Sequence, residues 1–350
     1  MRSSSPPKPP LDKQIQAIDA LYRQAGLVRS LRAGSGGVTH RMRVARAERP
    51  QLTAAPVPLR VANGVEWLPV PGWQRLDWLW NGFSTRRGGL SRAYCAEGAP
   101  GELNLGFTAE DERATVCENR RLLAEAVSGS AQTPLIALKQ IHSNLVRVAS
   151  ATDAARAQPY RADGLMTNEP GLLLAIQTAD CIPVLVADRK RRAVAAFHAG
   201  WRGTAARIVE SGVGRMRLQF GSRPEDLIAA IGPGIGPCCY AVGEEMLSEF
   251  ESQFTYAREL FCEVDDADEV RRKYPMLFLT QRAPGHSPIG PSLHLDLVEA
   301  NRRQLLSAGL KPRAIQTVGG CTSCQRPLFF SHRAAQGRAG RMMSVIGIRP

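Results

Sequence analysis

The sequence predicts a layered α/β/α domain with a mixed sheet over residues 65–350, preceded by a basic extension over residues 1–64. Three observations carry this reading. Short apolar runs bounded by turn formers alternate with stretches of helical periodicity, the pattern of a layered α/β fold. The runs GLLLAI (171–176), IPVLVA (182–187) and AVAAF (193–197) are too short for buried helices and suit buried strands. Residues 1–64 instead combine Pro, Ser, Gly and Arg with little apolar periodicity, the composition of a flexible, solvated segment.

In chain order, residues 12–31 place Ile15, Ile18, Leu21 and Tyr22 on one face of an amphipathic helix inside the extension. Order is expected from about Trp67, where Trp67, Trp73, Trp78 and Trp80 read as packing anchors. A glycine-rich basic loop follows, GFSTRRGG (82–89), weak as a phosphate signal because glycine is also the default in tight turns. Residues 110–126 carry Val116, Asn119, Leu122, Leu123 and Ala126 at helical spacing. In LIALKQIHSNLVRV (135–148), strand alternation puts Gln140 and His142 on one side and Lys139, Ile141 and Ser143 on the other. Taken alone, His142 reads as a hydrogen-bonded structural histidine.

The central runs are the most informative. Residues 188–192 (DRKRR) form a polar turn between the second and third, so the two pair as neighbours. Cys181, just before one strand, and His198, just after the other, then lie at the same end of the sheet. Beyond them the pattern gives helices over 204–219, 243–254 and 295–308, and strands over 227–231, 315–318 and 344–348. A rigid, turn-rich loop, GPGIGPCCY, spans 232–240.

Composition narrows the function classes. The chain has no run of about eighteen uninterrupted apolar residues, and its start lacks the apolar centre of a secretory signal. A cytoplasmic location is expected. Eight cysteines in 350 residues are too sparse for a disulfide framework. Of the net charge of +13, residues 1–60 hold +8, so the excess belongs to the extension rather than to a nucleic-acid-binding face. Tyr22 is the extension's one aromatic among those residues, which leaves no stacking platform for RNA.

His142, Cys181 and His198 are the residues with metal chemistry. Catalytic zinc keeps three protein ligands from the Cys, His and carboxylate set and leaves a fourth position open, where bound water is acidified to a pKa of about 7. The trio fits that type, although its spacing matches no local metal motif. Cys321 and Cys324 have the spacing of half a zinc ribbon or of a redox pair. No second CxxC stands elsewhere, so a closed four-cysteine site is not expected and the pair reads as a mobile surface turn. His286 and His294 flank a Pro/Gly-rich loop without companions and read as structural or solvated.

With these residues assembled, the chain resembles the laccase-domain or polyphenol-oxidase-like family, also described as zinc-dependent purine nucleoside phosphorylases and linked to peptidoglycan editing. The resemblance rests on GFSTRRGG (82–89), LNLG (103–106), ENRRLLAE (118–125), LKQIHSNLV (138–146), ADGLMT (162–167), QTADCIPVL (177–185), AAFHAGWRGT (195–204), AAIGPGIGPCCYAVG (229–243) and FFSHR with GRMMSVIGI (329–348). It implies zinc held by His142, Cys181 and His198, and phosphorolysis of adenosine, inosine, guanosine and methylthioadenosine, with adenosine deamination as a companion activity. The implied partners are purine nucleosides and phosphate, with neither membrane nor nucleic acid expected.

Within the matched motifs, Arg86, Lys139 and Arg202 are candidate phosphate ligands, Arg by bidentate contacts and Lys as a point charge. Gln140 is a candidate substrate contact, and Asp180 a candidate ligand-orienting group or proton acceptor. Where family members often carry SYRR, this chain has Ser331-His332-Arg333-Ala334. Two rival chemistries stand beside this one. Copper oxidation of phenols would need many more histidines than the six present, so bound copper would be adventitious. A metal-free hydrolase would use Cys181 as nucleophile and His198 as base on an amide of a peptidoglycan precursor.

Overall fold

The computed structural model describes residues 44–47, 58–156, 158–264 and 292–350. The expected helix over 12–31 and His286 lie outside them. In order, the described elements are β1 (Ala45–Ala47), β2 (Arg60–Ala62), β3 (Val65–Leu68), β4 (Leu79–Ser84), β5 (Arg87–Ser91), α1 (Arg113–Ser128), β6 (Leu135–Ala137), β7 (Val146–Val148), β8 (Gly164–Thr167) and β9 (Leu173–Thr178). There follow β10 (Ile182–Asp188), β11 (Ala193–Ala199), α2 (Trp201–Ala205), α3 (Ile208–Phe220), β12 (Leu227–Ile231), β13 (Ala241–Val242), α4 (Glu244–Gln253), β14 (Phe261–Val264), β15 (Ser292–Leu295), α5 (Leu297–Ser307), β16 (Ile315–Thr317) and β17 (Met342–Ile348). Strands β1 and β2 fall inside the stretch read from sequence as an extension: β1 pairs with β14, and β2 with β3.

The mixed α/β class holds, and the central layer is double. One six-stranded sheet runs β2-β3-β4-β17-β9-β6, a second β16-β12-β10-β11-β8-β7, and a four-stranded sheet β1-β14-β15-β13 completes the set. Side-chain alternation assigns the faces. Leu174, Ile176 and Ile346 of the first sheet pack with Leu185, Val194 and Ala196 of the second. Leu173, Ala175 and Val345, facing the other way, pack on Leu123 of α1. Val184, Val186 and Phe197, on the far side of the second sheet, meet Ile208, Val209 and Val213 of α3 and Leu297 of α5. The order is therefore helix, sheet, sheet, helix. A continuous apolar run announces a strand buried on both faces, but not whether its second neighbour is a helix or another sheet.

Residue choice explains the boundaries. Helix α1 ends at Gly129, whose φ of 85° lets its N–H close on the Glu125 carbonyl. The single helix expected over 204–219 is two, α2 and α3, because Arg207 adopts φ 57° and interrupts the turn. Gly212 lets α3 sit hard on β11: a Cβ there would fall 2.4 Å from the Phe197 ring. The stretch 135–148 is likewise two short strands in different sheets rather than one, with His142 itself at φ 57°. Strict alternation does not apply across such a break. All four early tryptophans are buried, Trp73 and Trp78 between the sheets and Trp67 and Trp80 toward α1, as anchors.

Candidate metal centre

Two chain segments cross from one sheet to the other at the same end of the molecule, and each carries a side chain able to ligate a metal. The link from β6 to β7 carries His142, and the link from β9 to β10 carries Cys181. The third ligand arrives by register. Pro183 pairs with His198 and Ile182 with Ala199, so the end of β11 lies beside the start of β10, as the hairpin pattern predicts. The ligand atoms of His142, Cys181 and His198 all lie within 4.8 Å of one another. Cys181 Sγ is 3.9 Å from His142 Nε2, and the two imidazoles meet edge to face with centroids 4.9 Å apart.

Asp163, just ahead of β8, organises this group. Its buried carboxylate accepts the backbone N–H groups of Ile141 (3.1 Å), His142 (2.9 Å) and Ser143 (2.6 Å), and the Ser143 hydroxyl (2.7 Å). It also accepts His198 Nδ1–H at 2.9 Å. That bond fixes the His198 tautomer and leaves Nε2 as the nitrogen available to a metal. Burial pushes the Asp163 carboxyl up, but the bonds from His198 and Ser143 prevail and hold it at about 2. The same carboxylate thus fixes the strained turn that presents His142 and orients His198. Sequence reasoning did not single it out, and the only signal was its place in ADGLMT, because its partners lie 20 to 35 residues away.

The charges of the metal-free group are self-consistent. Burial opposes a thiolate at Cys181, yet the His198 charge and hydrogen bonds from His142 and His198 bring its pKa down from 9.0 to about 6. Burial likewise opposes a charged His198, yet the Cys181 thiolate and Asp163 raise it from 6.5 to about 9. A soft thiolate and two imidazoles are a donor set for zinc. Gly200 completes the cradle: a Cβ there would approach Cys181 Sγ and His142 Cδ2 to 3.0 Å. The residues present therefore fit a three-ligand zinc site, with His142 exposed on its open side.

The other candidate residues divide into two groups. Lys139 and Arg202 are exposed, and among the described residues neither has an ion-pair partner; Arg202 lies over the Trp201 ring at 4.4 Å. Arg86, Gln140 and Asp180 are engaged elsewhere. Arg86 donates to Glu102 at 2.8 Å and to the Arg326 carbonyl, and stacks on Phe330. Gln140 exchanges two hydrogen bonds with the Gln177 backbone. Asp180, at φ 90°, accepts from Thr322 Oγ1 and from the Arg333 N–H, both at 2.6 Å, and ties the link that carries Cys181 to two later loops. A cleft of about 470 Å³ lined by Arg86, Tyr94, Phe330, Ser331 and Arg338 includes none of the three metal ligands. Tyr240, unassigned from sequence, is pushed up to about 12 by burial and by the charge of nearby Cys181.

Cys321 and Cys324 depart from expectation. Cys321 is buried, its sulfur accepts the Gly236 N–H at 3.3 Å, and Thr322 N–H donates to the Gly234 carbonyl at 3.0 Å. The turn is pinned, and beside it lie Cys238 and Cys239, which spacing rules that look for a second CxxC overlook.

Comparison with known proteins shows what the chain is similar to. Residues 81–349 match the family described as "Multi-copper polyphenol oxidoreductase laccase". A protein of Geobacillus stearothermophilus named purine nucleoside phosphorylase YlmD is 35% identical over 274 residues, 77% of this chain and 89% of that one. Purine nucleoside phosphorylase YfiH of Escherichia coli is 33% identical, over 80% of this chain and 98% of its own length. Among solved structures, the Bacillus licheniformis hypothetical protein YfiH superposes with a TM-score of 0.67 at 32% identity, covering 83% of this chain and 99% of that one.

Proposed function

The chain belongs to the multi-copper polyphenol oxidoreductase laccase family, and from that membership we propose that it is a zinc-dependent purine nucleoside phosphorylase. It would convert adenosine, inosine, guanosine or methylthioadenosine, with phosphate, to the free base and the sugar 1-phosphate, and deaminate adenosine as a companion activity. The observation that carries the reading is the convergence of His142, Cys181 and His198, with His198 oriented by Asp163.

Each residue has a stated task. His142 Nε2, Cys181 Sγ and His198 Nε2 would hold the ion. When bound, zinc supplies a Lewis acid with one free position, polarising the substrate atom placed there. Lys139 and Arg202, cationic and unpaired among the described residues, are the groups to hold phosphate, Lys as a point charge and Arg through its fork. Gln140 and Asp180 act by position, since each ties the loop beside a ligand to the rest of the site. Arg86 is held by Glu102 and contributes to the neighbouring cleft. Phenol oxidation at a multicopper cluster fits less well: of six histidines in the chain, His142 and His198 are the ones that join a group of three or more potential metal ligands among the described residues.

The test is base release from adenosine with and without phosphate, for the zinc-loaded protein, the zinc-stripped protein and Cys181→Ala. Phosphate-dependent release that falls by about 10³-fold or more in the last two, about 4 kcal/mol of barrier, is the expected result. A zinc-loaded protein inert toward every purine nucleoside would contradict it.

One observation favours a second reading. Cys181, His198 and Asp163 form a thiolate, an imidazolium and an orienting carboxylate in sequence. Without metal, the thiolate could attack an amide carbonyl carbon, His198 could return a proton to the departing amine, and water could cleave the thioester. Amide hydrolysis of a peptidoglycan precursor that survives complete zinc removal would select this chemistry.

A further inference from the structure

We propose that Cys238, Cys239, Cys321 and Cys324 form a second zinc site, closed by four thiolates and structural rather than catalytic.

The topology builds it. Strands β12 and β16 run parallel and adjacent, with Ile231 opposite Thr317, so the loops leaving their C-terminal ends emerge side by side. Those loops carry Cys238-Cys239 and Cys321-Thr322-Ser323-Cys324. A bridge from Gly234 to Cys321 continues the pairing past the strands, and Gln325 N–H closes the second loop on the Cys321 carbonyl.

The sulfur geometry fits a tetrahedral ion. All four Sγ atoms lie within 4.8 Å of one another, with Cys238 to Cys324 at 3.5 Å and Cys239 to Cys324 at 3.4 Å. Zinc–sulfur bonds of about 2.3 Å imply tetrahedral edges of about 3.8 Å. The sulfurs come from both loops, two from each, and the Gly236 N–H already donates to Cys321 as a backbone amide does to a metal thiolate. Cys238 and Cys321 are buried, Cys239 is half-buried and Cys324 is exposed, so the group sits at the surface with two of its four sulfurs covered by the protein.

The surroundings show why an ion is needed there. The loops share a small apolar cluster of their own, Ile235, Cys238 and Cys321 with Tyr240 against it. Three buried side chains of this size contribute only a few times about 1.5 kcal/mol, little against the ordering cost of two irregular loops at about 1–2 kcal/mol per residue for the backbone alone. A closed zinc site supplies folding energy directly. Its consequence reaches the first centre, because Asp180, next to Cys181, accepts Thr322 Oγ1, while the Asp180 carbonyl accepts Ile235 N–H at 2.8 Å.

The test uses the full chain and leaves the cluster intact. Zinc is counted by elemental mass spectrometry in the wild type and in the variant His142→Ala/Cys181→Ala, which disables the first centre. About one zinc per chain should remain in that variant, and cobalt substitution should give strong thiolate-to-metal absorption. Cys321→Ser/Cys324→Ser should lose that zinc and melt at a lower temperature. If this last variant fails to fold, the count in the first still decides. A metal-free His142→Ala/Cys181→Ala protein, or recovery of the four cysteines as disulfides in the freshly purified wild type, would overturn the proposal. Loss of nucleoside activity without loss of this zinc would bear only on the catalytic reading.

Discussion

The two cysteine-containing centres lie at the same end of the second sheet, yet their construction differs. The first gathers three potential ligands from three segments, two imidazoles and one cysteine sulfur, with His142 exposed on one side. The second has four thiol groups from two loops, Cys238 and Cys321 buried beneath the others. Ligand number and access separate their chemistry: three ligands leave a coordination position for a substrate atom, and four leave none. The supports differ as well. A buried carboxylate, Asp163, holds His142 and His198 in orientation, whereas the second group is held by parallel strands and by backbone bonds between its loops. Charge-assisted orientation suits a site that must bind and release; backbone closure suits one that only has to hold.

The sharpest way to break this contrast is Asp163→Asn. The amide keeps the shape but loses charge, and its NH₂ cannot accept the N–H bonds that two carboxylate oxygens now share. Zinc affinity of the first centre and phosphorolysis should fall by about 10- to 100-fold, while zinc in the four-cysteine site stays. Equal loss from both sites, read by elemental analysis, would show that Asp163 supports the fold rather than the ligands.

A smaller effect sharpens it further. In zinc-stripped protein the Cys181 thiol titrates at about 6 and His198 at about 9, so the thiolate–imidazolium pair is fully formed between those values. The sign follows for each group: the lowered thiol pKa makes the pair's contribution disappear as pH falls through about 6, and the raised imidazole pKa makes it disappear as pH rises through about 9. Iodoacetamide should therefore label Cys181 readily at pH 7, with a rate that declines roughly tenfold per pH unit below about 6. An ordinary thiol would lose reactivity from about pH 8.5 downward. Peptide mapping by mass spectrometry distinguishes the two.

How much of this was legible in the sequence depends on distance along the chain. The strands over 182–188 and 193–199 and the short turn between them brought Cys181 and His198 together correctly, because a hairpin is a local object. His142 joined them by resemblance to a family, not by spacing. Asp163 was missed because its role exists only once the crossing links converge, and nothing in Ala162-Asp163-Gly164 marks a carboxylate as buried. The double sheet was hidden for a related reason: Leu173 and Leu174 look alike in sequence, although one faces α1 and the other the second sheet. The four-cysteine group was masked by a parallel strand pair that joins loops 85 and 86 residues apart.

The measurement that tests the contrast most directly is stepwise chelation of the wild-type protein, following zinc content, phosphorolysis and melting temperature together. The first zinc to leave should abolish phosphorolysis with little change in melting temperature, and its readdition should restore activity. The second should leave only under stronger chelation and should lower the melting temperature. Release of a single zinc, with activity and thermal stability lost in the same step, would contradict the division into an open catalytic centre and a closed structural one.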